Sequence, residues 1–300
     1  MIRMSPLDWM TGIMFLIVSC ISGATCIITK DSYTPELFTN LCHKYKPTFG
    51  MLAPRAVISL MNYTTNPEIF STITIFSIGG ENIEFSQLQK FQKIMPKAAL
   101  TFGYGLTEFG GVAGNFGLNK QNSVGKLQPN VKLRIIDDNG KNLGPNEVGE
   151  LLVWNGMQWN GYYGNPLESQ RLKDSLGWVH TGDKGYMDED QYLFITGRKK
   201  EILKYHGIHY WPVEIEKVIA NISDVIDVIV VGIYSEGNGD AAGAVVIKKE
   251  NSKLSEQDII EKVAETLPFY QHLHSGVRFV EKYPQTPNGK SIRNHLKILF

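Results

Sequence analysis

Residues Trp178–Glu216 read WVHTGDKGYMDEDQYLFITGRKKEILKYHGIHYWPVEIE. These forty or so residues hold Thr181-Gly182-Asp183, an acidic turn at Asp188-Glu189-Asp190, a Gly197-Arg198-Lys199-Lys200 junction and a lysine-bearing loop. Glycine and charge at this density, set between short apolar segments, mark a working loop system more than a plain core. Asp183 ends one such segment, where a carboxylate can accept both hydroxyls of a ribose; a simple turn aspartate is the commoner fate of Gly-Asp. Arg198-Lys199-Lys200-Glu201 reads as a solvated charge run on most surfaces. Here it falls where the pattern changes, which places a domain boundary near Arg198 and gives the run a second possible role.

Upstream, helices alternate with short apolar strands. Thr34-Pro35 has the form of an N-cap and first helical residue, followed by Leu37, Phe38, Leu41, Cys42 and Tyr45 at helical spacing. Strands are expected at Thr48–Leu52, Thr72–Ile78 and Ala98–Phe102, with helices at residues 55–61 and 84–95 between them. That alternation implies a largely parallel α/β sheet, in which ligands bind beyond the carboxyl ends of strands. Gly79-Gly80 and Gly103-Tyr104-Gly105 stand at two such ends. After about residue 125 the pattern turns antiparallel and barrel-like: Val131–Ile136 alternates, Asp138-Asn139-Gly140 turns, and Gly149–Trp154 alternates again. Beyond the boundary come a helix from Val213, strands at Val225–Tyr234 and Ala242–Lys248, and a helix opening at Ser255 and Asp258 in near capping-box spacing. The fold class is therefore mixed α/β, with a small α+β domain at the end.

Two further stretches carry candidate chemistry. In Gly103-Tyr104-Gly105-Leu106-Thr107-Glu108 the glycines let the backbone approach a flat ring or a phosphate, and Tyr104 can stack on a purine. A hydroxyl beside a carboxylate supplies a phosphate hydrogen bond and a hard ligand for Mg²⁺; the bland alternative is a glycine-rich turn with a solvated glutamate. Lys290 follows the turn signal Pro287-Asn288-Gly289. A lysine at a turn tip is usually just solvated, yet it can also deliver a mobile cation to developing negative charge.

These blocks, in this order, resemble the adenylate-forming superfamily of AMP-binding acyl-CoA synthetases, 4-coumarate–CoA ligases and insect luciferases. The resemblance implies residues 1–198 as part of an adenylation domain and residues 199–300 as its small mobile C-terminal domain. It further implies ATP-dependent activation of a fatty or aromatic carboxylic acid to an acyl-adenylate, then transfer to coenzyme A with release of AMP. By the same resemblance Thr107 contacts phosphate and Glu108 holds Mg²⁺, while Gly79, Gly80 and Glu81 lie against the adenine, with Gly103, Tyr104, Gly105 and Ile195 in the same nucleotide set. Asp183 binds the ribose and Arg198 closes on the nucleotide. Lys200 is the hinge, Lys204, Tyr205 and Gly207 meet the nucleotide and line the thiol tunnel, and Lys290 is the catalytic lysine. Many relatives have Asp where Gly197 stands, though Gly also occurs.

Departures matter too. The family's Ser/Thr/Gly-rich phosphate loop ending in Pro-Lys-Gly has no counterpart; Ser19–Thr25 comes nearest and lacks the lysine. The resemblance thus spans all 300 residues but only the later half of a full synthetase. Where relatives often carry His near the acyl pocket this chain has Asp8 and Trp9. The alternative function is accordingly a catalytically inactive nucleotide-binding or interaction protein, or a fragment of a longer enzyme.

The uncharged run from Trp9 to Thr29 reads alone as a signal peptide or membrane anchor. Thr11, Gly12, Ser19, Ser22 and Gly23 dilute it, and the resemblance favours a buried helix and strand instead. Thirty basic residues balance thirty acidic ones, so no global field draws nucleic acid. Cys20, Cys26 and Cys42 lack metal-ligand spacing and suit a reducing compartment. Cytosol is the default location; the family's peroxisomal habit finds no Ser-Lys-Leu address in Lys297–Phe300.

Overall fold

The computed structural model describes residues 1–284 and 292–300. The chain divides into two compact units, Met1–Ile195 and Thr196–Phe300.

The first unit begins β1 (Ile2–Arg3), α1 (Met10–Ile21), α2 (Pro35–Tyr45), β2 (Phe49–Leu52), α3 (Pro54–Tyr63), β3 (Ile75–Gly79), α4 (Phe85–Ile94) and β4 (Ala99–Leu106). It continues β5 (Gly110–Phe116), β6 (Lys126–Leu127), β7 (Lys132–Ile136), β8 (Gly149–Trp154), α5 (Pro166–Leu172), β9 (Val179–Met187) and β10 (Leu193–Arg198), whose residues from Thr196 on are counted with the second unit. Strands β1 to β6 form one sheet in chain order: β1 to β4 run parallel, and β5 and β6 turn back antiparallel. Strands β10-β9-β8-β7 form the antiparallel sheet expected after residue 125. Gly125 bridges Leu193, so the end of the first sheet borders the second.

Helix α2 starts as its sequence demands, with the Thr34 hydroxyl accepting Leu37 N at 3.1 Å and Pro35 in the first turn. Its Phe38 meets Phe70 and Phe76, and Phe76 meets Phe91 of α4, all fully buried. Phe49 points to the opposite face of β2 from Gly50, which neighbours Phe76. There its ring meets Phe15 of α1 at 5.2 Å.

Two expectations change. Trp9–Thr29 is not a buried helix and strand. Only Gly12, Phe15 and Ser19 of α1 are buried, while Ile13, Met14, Ile17 and Ile21 are exposed. The segment after the helix contributes a single bridge, Ile27 to Ile2. The helix meets the sheet along one stripe, and the apolar side chains off that stripe are exposed in this chain. No helix among the described residues is long and apolar enough to cross a membrane. Second, Gly103-Tyr104-Gly105 lies inside β4 and not beyond its end. Gly103 pairs Gly114 and Gly105 pairs Gly111 in the β4–β5 hairpin. A Cβ on Gly105 would stand 2.6 Å from Gly110 O, so the glycine permits the close pairing that prolongs the strand.

The second unit comprises β11 (Leu203–Tyr205), β12 (Ile208–Tyr210), α6 (Pro212–Ala220), β13 (Val225–Ser235), β14 (Gly239–Lys248), α7 (Glu256–Thr266), β15 (Val277–Phe279) and α8 (Arg293–Leu296). Its sheet runs β12-β11-β14-β13, with β15 parallel to β14. On β13, Val228 and Val230 face a core with Ile215, Ile219, Ile259 and Val263; Ile229 and Val231 face another with Tyr283 and Leu296. Both faces are covered, which is why the strand sequence is a continuous apolar run.

Candidate functional site

In the first unit the parallel strands end where Gly79 pairs Gly103. A Cβ on Gly79 would lie 3.1 Å from Gly103 O, and Gly80 takes φ +103°, with Trp9 at 3.8 Å from where its Cβ would be. Neither glycine puts a side chain on this edge, and the Trp9 ring lies beside Gly80. Glu81, the third residue of that segment, gives its carboxylate to Arg55 Nε of α3 at 3.0 Å.

Tyr104 stands on β4 and Asp183 on β9, in different sheets. The Tyr104 hydroxyl donates to Asp183 Oδ2 at 2.5 Å across 79 residues of chain. Asp183 is buried to 5% exposure. Its backbone N–H donates to Thr181 Oγ1 at 3.0 Å, and that hydroxyl in turn donates to Leu151 O at 2.8 Å, which fixes the turn carrying the carboxylate. A neutral phenol orients a carboxylate without cancelling its charge. The arrangement sets an aromatic ring beside an oriented acid, the pair a nucleoside needs for base and ribose.

Thr107 and Glu108 occupy the turn after β4, closed by Phe109 N–H donating to Leu106 O at 3.2 Å. Thr107 is exposed. Glu108 Oε1 accepts from the hydroxyl of Tyr162. Burial, then the Glu108 carboxylate, push the Tyr162 phenol up to about 12. Among the described residues no three His, Cys, Asp or Glu side chains group as a metal cage. One carboxylate with one hydroxyl nevertheless suits Mg²⁺, which binds through one or two carboxylates plus substrate phosphates.

Sequence reading missed Tyr162 and the pair His180–Glu150, whose Nδ1 and Oε1 lie 3.3 Å apart. The available signal for Tyr162 was the aromatic-glycine run Trp159-Asn160-Gly161-Tyr162-Tyr163 after a strand. Ile195 packs against the core of the first unit.

The other expected residues belong to the second unit. Arg198 is exposed, and Lys200 sits in the 3-10 turn Lys199–Glu201. Lys204 and Tyr205 lie on β11 and not in a loop; His206 (φ +46°) and Gly207 (φ +83°) form the two-residue turn to β12. Positive φ at both turn positions is the hairpin geometry that matches strand twist. Tyr205 stacks on His274 at 4.6 Å. Lys290 lies outside the described residues.

A family model described as AMP-binding enzyme matches residues 1–163, and one described as AMP-binding enzyme C-terminal domain matches residues 214–290. The chain is 32% identical to 4-coumarate–CoA ligase 1 of Arabidopsis thaliana over 284 residues, covering 90% of this chain and 50% of the relative. It is 34% identical to 4-coumarate–CoA ligase 1 of Oryza sativa subsp. japonica over 289 residues, covering 92% and 50% respectively. The chain spans about half the length of these curated relatives. The ATP-bound structure of MatB from Rhodopseudomonas palustris matches with TM-score 0.90 at 22% identity, over 99% of this chain and 59% of that one, a likeness of fold. With the first family model covering residues 1–163 of 300, this chain belongs to the AMP-binding enzymes, the adenylate-forming superfamily.

Proposed function

We propose that the chain carries nucleotide-handling machinery of an ATP-dependent carboxylic acid–CoA ligase, acting on a fatty or aromatic acid. The observation that carries this reading is the Tyr104–Asp183 contact, which places a ring and an oriented carboxylate side by side at the sheet edge. The likeness to 4-coumarate–CoA ligases supports the acid–thiol chemistry.

In the first half-reaction Tyr104 would stack on the adenine over the Gly79-Gly80 and Gly103 backbone, and Asp183 would take the ribose hydroxyls. Thr107 would donate to phosphate, and Glu108 would hold Mg²⁺. When bound, the metal supplies charge stabilisation to the phosphates. Lys290 would steady the α-phosphate as the acid's carboxylate attacks it and pyrophosphate leaves. In the second half-reaction the thiol of coenzyme A attacks the acyl carbon and AMP departs. There the small domain, residues 199–300, would turn about Lys200, withdrawing Lys290 and bringing in Lys204 and the Gly207 turn, while Arg198, ahead of the hinge, would hold the nucleoside with Asp183 and Tyr104.

The test is pyrophosphate exchange with ATP, Mg²⁺ and a panel of fatty and aromatic acids, alongside Asp183→Asn and calorimetric ATP binding. Exchange with at least one acid, reduced at least ~100-fold in the variant, is expected. ATP binding without exchange for any acid would reduce the activity of these residues to nucleotide binding. Folded protein that binds no ATP would sink the proposal.

A further inference from the structure

Glu108 is held by a residue from outside the hairpin that carries it. The Tyr162 hydroxyl, 54 residues further along, donates to its Oε1. The loop that presents Tyr162 is pinned at several points. Asn155 Nδ2 donates to Phe109 O at 3.4 Å, beside Glu108 itself, and Lys173 Nζ donates to Met157 O at 3.1 Å. Tyr162 N–H donates to Ser169 Oγ at 2.7 Å, and that hydroxyl donates at 2.8 Å to the carbonyl of Asn165, the residue that caps α5. The Tyr162 ring stands edge-on to Trp159, centroids 5.1 Å apart. Gly161 takes φ +88°, and a Cβ there would meet Ser169 Oγ at 2.6 Å, so the turn into Tyr162 requires glycine.

We propose that Tyr162 is a positioning residue for the Glu108 carboxylate, holding Oε1 so that Oε2 is presented to a nucleotide-borne divalent cation. The proposal rests on the reading of Glu108 as the magnesium ligand. Mg²⁺ demands near-ideal octahedral geometry, so a carboxylate locked in one rotation binds it at lower ordering cost than one free to turn. A phenol suits the task because it fixes the acid while leaving its charge for the metal. Partners of this outer kind typically change metal affinity by about 10–100-fold when removed.

The experiment is calorimetric ATP binding to the whole chain with and without Mn²⁺ as the Mg²⁺ stand-in, for wild type, Tyr162→Phe and Glu108→Gln. Tyr162→Phe keeps the ring against Trp159, and its thermal midpoint should match wild type. In wild type Mn²⁺ tightens ATP binding, and Glu108→Gln abolishes that gain. Tyr162→Phe should cut the gain roughly tenfold while leaving metal-free ATP affinity unchanged. A full Mn²⁺ gain in Tyr162→Phe, with the gain lost in Glu108→Gln, overturns the positioning role and leaves Glu108 as ligand. Equal weakening of ATP with and without metal also overturns it, because Tyr162 would then act only through the loop. If Glu108→Gln keeps the gain, or wild type shows none, the metal reading of Glu108 fails and this proposal falls with it.

Discussion

Gly197 adopts φ +152°, and a Cβ placed there would lie 2.6 Å from Trp211 Cε3. An indole thus stands where any side chain at this position would begin. Gly197→Asp should lower the stability of the second unit by about 2 kcal/mol, and Gly197→Ala by nearly as much, because the clash begins at Cβ. Urea midpoints of both variants check this. Unchanged midpoints, or a loss confined to the aspartate, would show that the indole moves aside freely. At this scale the sequence was partly legible. Asp183, Thr107 and Glu108 could be singled out from local composition and resemblance. Tyr104 could be singled out as well, but its pairing with Asp183 and that of Tyr162 with Glu108 span 79 and 54 residues, and such pairings depend on how sheets and loops are brought together.

Helix α7 opens with a reciprocal cap. Ser255 Oγ accepts Asp258 N–H at 3.2 Å, and Asp258 Oδ2 accepts Ser255 N–H at 2.8 Å. The backbone and hydroxyl of Ser255 hold the Asp258 carboxyl below its ordinary value. A depressed carboxyl contributes stability that is present above its unfolded value, near 3.9, and disappears as pH falls through the lower folded value. Asp258→Asn should therefore narrow its stability difference from wild type as pH drops from about 5 to about 3, measured as urea midpoints. A difference constant over that range would mean the cap acts without its charge. This helix was readable because a cap is a local pattern. The hairpin at His206-Gly207 is hard to see in the sequence, since His-Gly is not among the strong hairpin turn pairs and each flanking strand is only three residues long. The end of β4 was misplaced for a related reason: glycines signal a break, and only the second glycine run at Gly110–Gly114 shows that here they pair.

For the whole molecule, alternation of helix and strand gave away the parallel sheet, and its change of period gave away the antiparallel one. The position of α1 was not legible, because an apolar sequence does not say which of its faces will find a neighbour. Among the described residues the buried apolar side chains form one core in the first unit and two in the second. Separate cores predict separate cooperative transitions. Arg293 is the handle for testing that. Its Nη1 donates to Glu216 Oε1 at 2.6 Å and to Val230 O at 2.7 Å, and its Nε lies 3.8 Å from Glu201. Glu216 Oε1 also accepts Val230 N–H at 2.8 Å, so one guanidinium ties α8, α6 and β13 together. Removing it leaves Glu216 partly unpaired in a mostly buried place. Arg293→Ala should cost about 2 kcal/mol, and Arg293→Lys should recover less than half of that, since an ammonium lacks the planar fork. In scanning calorimetry the loss should appear in one transition and leave the other in place. A single transition that moves as a whole would show that the two units melt together despite their separate cores.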